Sequence, residues 1–304
     1  MKLFLGATMK FVSVKNGNYT MFIDLETGTK IRKNNLDCFI PEKPESMDIK
    51  ITNNCDIGCF FCHEDSTPDG LHGDIMNLKF IETLLPYTEL ALGGGNPLTH
   101  PDLIPFLEKC KALKLIPSMT INQIHFMKPE YEELIDKLVS EKLIYGLGVS
   151  LTRATEEFIA RVKKYPNAVI HIINGVQPIS EVRKLYDHHL KVLILGYKMF
   201  RRGIEYFSKA VAMTKNEYYA ELGEMLKHFD VVSFDNLAIK QLETKRLLSE
   251  DQWNEFYMGD DGSHTMYIDC INKQFAKSSV APVEDRRDLM DDIKPMFDYI
   301  RGTK

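Results

Sequence analysis

What most constrains the fold of this chain is an alternation of short apolar runs with helix-period segments between residues 47 and 197. MDIKITNN (47–54), TELALGG (88–94), IPSMTIN (116–122), IYGLGVSL (144–151), AVIHIIN (168–174) and LKVLILGY (190–197) read as strands. Between them, NLKFIETLLP (77–86), residues 100–113, PEYEELIDKLVSE (129–141), ATEEFIARVKK (154–164) and ISEVRKLYDHH (179–189) carry helical spacing. Six β/α units in succession argue for a parallel sheet covered by helices. Several strands end in polar or special residues: Asn53-Asn54, Gly93 to Asn96, Asn122-Gln123, Ser150 and Thr152, Asn174-Gly175 and Tyr197-Lys198. In a barrel or partial barrel the carboxyl ends of the strands face one side, and that side carries the site.

The flanks read differently. FVSVKNGNYTMFIDLETGTKI holds two alternating runs around Asn16-Gly17-Asn18, with a second turn at Thr27-Gly28, and PEKPE (41–45) marks a boundary. Beyond residue 200 a helix near 215–228, a strand near 230–234, a hairpin within 263–278 and a final helix near 283–301 are expected. The expected class is α/β: a partial (β/α)6 TIM-like barrel over 47–200, a β-rich lead-in over 1–46, and a C-terminal α/β extension over 201–304 that covers the barrel.

Composition narrows the chemistry. A net charge of -5 and a pI of about 6.0 give no support for nucleic-acid binding. MKLFLGATMKFVSV alternates like a strand and is broken by lysine and glycine, unlike a signal peptide, and no run reaches the length of a membrane span. The expected compartment is the cytoplasm, where thiols stay reduced. There, scattered Cys38, Cys110 and Cys270 read as packing residues and bunched cysteines as metal ligands.

The bunched ones lie in CDIGCFFCHE (55–64): Cys55, Cys59 and Cys62, followed by His63. Structural zinc takes four ligands, commonly from two short cysteine pairs, and no second pair follows. His63 as fourth ligand would have to point at the same metal as its neighbour Cys62. An iron–sulfur cluster on three thiolates would leave one iron open to substrate or cofactor.

The C-x3-C-x2-C spacing of Cys55, Cys59 and Cys62, with Phe61 before the last cysteine, resembles the signature of the radical S-adenosylmethionine superfamily. LGGGNPLTHPDL (92–103) resembles that family's second-strand motif, with Gly94, Gly95, Asn96, Pro97 and Leu98 on the matching positions; Asn96 stands where glutamate is common. The resemblance implies a [4Fe-4S] cluster on Cys55, Cys59 and Cys62. It further implies S-adenosyl-L-methionine chelating the fourth iron, with Phe61 at the adenine, the Gly94–Pro97 stretch at the methionine end, and Ser150 at ribose or carboxylate. It implies reductive cleavage of S-adenosylmethionine to a 5′-deoxyadenosyl radical that abstracts hydrogen from a substrate, with electrons from a donor such as flavodoxin or ferredoxin. One cysteine in the tail implies a single cluster.

Other candidates are weighed against plainer roles. Asn122, Asn174 and Lys198, at strand ends, touch ligand or simply satisfy their loops; Lys198, Arg201 and Arg202 hold an anion or are solvated. His171 reads as a packed histidine, His188-His189 as helix-end residues, and Cys270 as a hydrogen donor to a product radical or a buried thiol. A peptide or protein substrate is favoured over a nucleoside or small metabolite, because the lead-in offers an edge for strand addition. The rival reading is a noncatalytic zinc-binding or degenerate-barrel interaction protein.

Overall fold

The computed structural model describes residues 11–36 and 38–302; the first ten residues of the strand-like opening stretch lie outside them. The described chain opens with an antiparallel three-stranded sheet, β1 (Phe11–Asn16), β2 (Tyr19–Asp24) and β3 (Lys30–Lys33). Gly17 turns the first hairpin at φ +59°, and a Cβ there would sit 2.0 Å from the Ile40 carbonyl oxygen. Turn and close approach both require glycine.

All six central runs are strands: β4 (Ser46–Thr52), β5 (Glu89–Gly94), β6 (Ile116–Asn122), β7 (Gly146–Ser150), β8 (Ala168–Ile173) and β9 (Lys191–Leu195). They pair in parallel and in sequence order. The tail then adds parallel strands at both ends, β10 (Val231–Phe234) on β9 and β11 (Thr265–Asp269) on β4. The expected hairpin is β11 with antiparallel β12 (Gln274–Ala276), which pairs in turn with β13 (Arg287–Asp288).

Helices α1 (Leu103–Ala112), α2 (Gln123–Met127), α3 (Glu132–Ser140), α4 (Glu156–Val162) and α5 (Ile179–Arg183) fill the crossovers. After β9 come α6 (Arg202–Tyr206), α7 (Lys209–Met225), α8 (Asn236–Leu242), α9 (Glu250–Phe256) and α10 (Ile293–Arg301). Three expectations need correction. The final helix expected near 283–301 is confined to Ile293–Arg301, because Val283–Asp285 forms a 3-10 turn and Arg287–Asp288 pairs as β13. NLKFIETLLP forms only a 3-10 turn over Lys79–Thr83: it buries the adjacent Phe80 and Ile81, which one tight turn achieves, and Pro86 soon follows. The helix expected over 179–189 stops at Arg183, and Asp187 and His189 then take φ of 61° and 58°, which a helix excludes.

Alternation along the parallel strands separates two faces. Met47, Leu90, Met119, Val149, Ile170 and Ile194 are buried in the main core, while Asp48, Lys50, Thr120, Ser150 and His171 line a cavity. Tyr267 on β11 and Asp235, just beyond β10, line that same cavity. Seven strand spacings separate β10 from β11, roughly 34 Å in a flat sheet. The sheet therefore curls into a partial barrel; among the described residues no pairing joins β10 to β11.

The lead-in packs away from the mouth of the barrel. Tyr19, Met21 and Ile23 pack with Ile116, Tyr87 and Tyr145, at or just before the starts of β5, β6 and β7. That is the amino-terminal end of the barrel, where these three apolar residues need cover. Glu45, 1% exposed, locks the join: it pairs with Arg32 (2.7 Å) and Lys30 (3.7 Å) and accepts the Tyr19 hydroxyl. Among the described residues no helix is long and apolar enough to cross a membrane.

Candidate functional site

At the other end, the loop after β4 carries the three cysteines. Gly58 takes φ +67° in the turn between Cys55 and Cys59, and the Cys62 amide donates to the Cys59 carbonyl at 3.2 Å. The chain then returns beside its own start, with Cys55 N donating to Thr67 O (2.8 Å) and Asn53 N to Leu71 O (2.8 Å). Several elements staple this loop. From β4, Lys50 pairs with Glu64 at 2.7 Å; from α2, His125 meets Asp56 at 2.5 Å, and Lys128 beyond it meets Asp56 at 3.0 Å. From α6 and its N-cap, Arg202 meets Asp65 at 2.8 Å and Ser66 O at 2.6 Å, and Arg201 donates to Glu64 O at 2.6 Å.

The result is a cavity of about 410 Å³ lined by Cys55, Cys59, Cys62, Phe61, Gly94, Gly95 and Ser150 together. Burial and the neighbouring cysteines push the Cys59 thiol up to about 11, and burial also raises Cys55. Asn122 caps α2 by accepting from Ile124 N (2.9 Å) and directs its amide at the Cys59 sulfur, 3.9 Å away.

The glycine triplet divides by role. A Cβ on Gly94 would sit 2.2 Å from Thr52 O and one on Gly95 2.2 Å from Asn54 O, so the end of β4 and the backbone just after it demand these two. Gly93 meets nothing within 4 Å and opens onto the cavity. Asn96 lies behind: 1% exposed, it accepts from Leu98 N (3.2 Å) and donates to the Tyr131 hydroxyl (3.2 Å), and neither it nor the buried Pro97 lines the cavity. Its amide caps the turn Pro97–Thr99, a local job for a side chain that the sequence suggested for a ligand.

The remaining candidates sort cleanly. Lys198 lines the cavity and donates to His63 Nε2 (3.0 Å) and Ser279 Oγ (2.9 Å), which engages His63 away from a ligand role. Arg201 and Arg202 are neither solvated nor an anion clamp; they hold the cysteine loop. Asn174 is buried against Gln241 and absent from the cavity wall. His188 and His189 lie in the unwound stretch after α5, and His189 pairs with Asp230 at 3.1 Å. Cys270, 3% exposed and packed where a Cβ on Gly73 would fall 2.5 Å from its own, does not line the cavity either; burial drives its thiol far up.

Sequence reading missed several wall residues, among them His171, Asp48 and Lys50. His171 lies over Gly148, whose Cβ would fall 2.5 Å from its ring, and burial lowers it to about 4. Asp48 and Lys50 were visible as charges at alternate positions of an otherwise apolar strand, the pattern of an inward polar face.

No family model matches the chain. A protein of Methanocaldococcus jannaschii named as a probable GTP 3′,8-cyclase is 27% identical over 147 residues, 45% of this chain and 46% of the relative. Another of the same name, from Methanothermobacter marburgensis, is 29% identical over 72 residues, 22% and 24% of the two chains. The chain thus spans less than half the length of these curated relatives. Streptococcus suis SuiB bound to S-adenosylmethionine superposes with a TM-score of 0.62 at 13% identity, over 93% of this chain and 85% of that one. This chain shares the fold of SuiB. A second structure of SuiB, bound to its precursor peptide SuiA, superposes on this chain with a TM-score of 0.59 at 12% identity, over 90% and 83% of the two chains.

Proposed function

We propose that this chain is a radical S-adenosylmethionine enzyme holding one [4Fe-4S] cluster on Cys55, Cys59 and Cys62 and binding S-adenosylmethionine beside it. One observation carries this: three cysteines on a single stapled loop open onto the same cavity as Gly93 and Ser150, at the carboxyl ends of the strands. The donor set fits, since iron–sulfur clusters take thiolates and His63 is engaged by Lys198. The space over Gly93 also fits, because a methyl group there would project into the cavity. Such a cluster supplies the electron that breaks the sulfonium carbon–sulfur bond. The residues of this chain orient and shield. Phe61 offers an aromatic face at the wall, Ser150 a hydroxyl and Asn122 an amide toward the Cys59 sulfur, while Lys50, His125 and Arg202 fix the loop.

A peptide or protein is the favoured substrate, supported by the shared fold with SuiB, which has been captured with its precursor peptide. A nucleoside substrate is the second reading, favoured by the two relatives named as GTP cyclases. A flavodoxin- or ferredoxin-like donor would supply electrons.

Anaerobic reconstitution tests the assignment. Brown protein with about four irons per chain is expected, together with 5′-deoxyadenosine once a strong reductant and S-adenosylmethionine are added. Cys55→Ala, Cys59→Ala and Cys62→Ala should each lose the absorption. Colourless protein carrying zinc, or iron near eight per chain, overturns it.

A further inference from the structure

The cavity continues well below the cysteine loop. Asp48 lies on β4 four residues before Thr52, so its carboxylate is about 13 Å down the strand from the rim. It faces the cavity with Ala91 and Tyr267 as its register partners on the adjoining strands. Among the described residues its carboxylate makes no hydrogen bond or ion pair, while its backbone is paired within the sheet.

The nearby ammonium groups are already engaged. Lys50 is paired with Glu64 at 2.7 Å and lies 3.9 Å from Asp269, while Lys198 donates to His63 and Ser279. Asp235 spends Oδ1 on the Gly196 and Ala238 amides. The cavity wall thus carries three carboxylates, Asp48, Glu64 and Asp235, against two ammoniums, and the carboxylate in excess is the one without a partner. Burial, together with Asp235, Asp261 and Glu64, pushes the Asp48 carboxyl up against the pull of Lys198. The Asp48 side chain is open to the space of the cavity, so a cation that enters meets an unpaired carboxylate and has no protein cation to displace.

We propose that this cavity takes its substrate through a positively charged nitrogen group, an ammonium or guanidinium on an extended arm, received by Asp48 at its base. The inference rests on reading the cavity as the substrate site and adds the chemical class of what enters it. A group held at the rim by the glycine loop does not reach Asp48; an arm of several methylenes does.

The test is calorimetric titration of the full chain, as purified and after reconstitution, with n-butylguanidinium, n-butylammonium, n-butanol and butyrate. Saturable binding of the two cations and none of the alcohol or carboxylate is expected, weakened about tenfold or more in the near-isosteric Asp48→Asn. Equal cation binding by wild type and a folded Asp48→Asn overturns the proposal. If that variant does not fold, the wild-type ranking decides: butyrate or butanol binding as well as the cations overturns it equally. Comparing Nα-acetyl-lysine N-methylamide with n-butylamine then separates a peptide side chain from a free amine, with the preferred probe naming the source. Iron content is read independently. Cation binding without iron overturns the cluster assignment and leaves this inference standing, whereas iron with indifference to Asp48→Asn overturns this inference alone.

Discussion

Among single residues, neighbouring glycines of one motif do different work. Gly95 lies where a Cβ would come within 2.2 Å of the Asn54 carbonyl oxygen, backbone against backbone, whereas Gly93 faces open space. Gly95→Ala is therefore expected to destabilise the fold by about 1–3 kcal/mol, seen as a lower urea midpoint. Gly93→Ala should leave stability within about 1 kcal/mol of wild type yet weaken S-adenosylmethionine binding in calorimetry, because its methyl enters the cavity. Equal stability loss at both positions would contradict the division. A run of three glycines shows a need for close approach; which glycine serves the chain and which serves the ligand depends on what lies opposite each.

Among elements, the cysteine loop is nearly devoid of regular structure between β4 and the turn at Lys79–Thr83, yet it is held by side chains from three other parts of the chain. Arg201 and Arg202 tie it to α6, and Phe61 lies 5.9 Å from the Tyr206 ring of the same helix. Replacing both arginines with alanine should leave the circular dichroism unchanged while amides 55–66 exchange with deuterium about tenfold faster or more, and cluster retention falls. Unchanged exchange would show that the β4 and α2 contacts suffice. The sequence placed the loop correctly after a strand but left these arginines as solvated or anion-binding, since their partners lie some 136 residues away.

For the whole molecule, the barrel is closed below by the lead-in, and its cavity is lined in part by tail residues, including Tyr267 and Ser279. The lower join depends on Glu45. Burial alone would raise its carboxyl, but Arg32, Lys30 and Tyr19 hold it below the ordinary value near 4.5. Because its folded value is the lower one, this contribution is complete above pH 4.5 and is lost as pH falls through the folded value. Glu45→Ala is expected to cost about 3–5 kcal/mol, leaving Arg32 and Lys30 without their buried partner, and to flatten the loss of stability below pH 4.5. Urea midpoints at pH 7 and pH 4 measure both effects, and identical pH dependence in the variant and wild type would exclude Glu45 as the acid-sensitive group.

Local pattern alone determined the six central strands, their parallel succession and the rim on which the cysteines sit, because strand periodicity, crossover length and ligand spacing are written within short stretches of chain. The tertiary structure decided the rest. It set two further parallel strands at the sheet's ends, put the lead-in beneath the barrel, made Asn96 a cap and Arg202 a staple, and left Asp48 without a partner. Each of these depends on contacts between residues distant in sequence, whose identity no local period encodes.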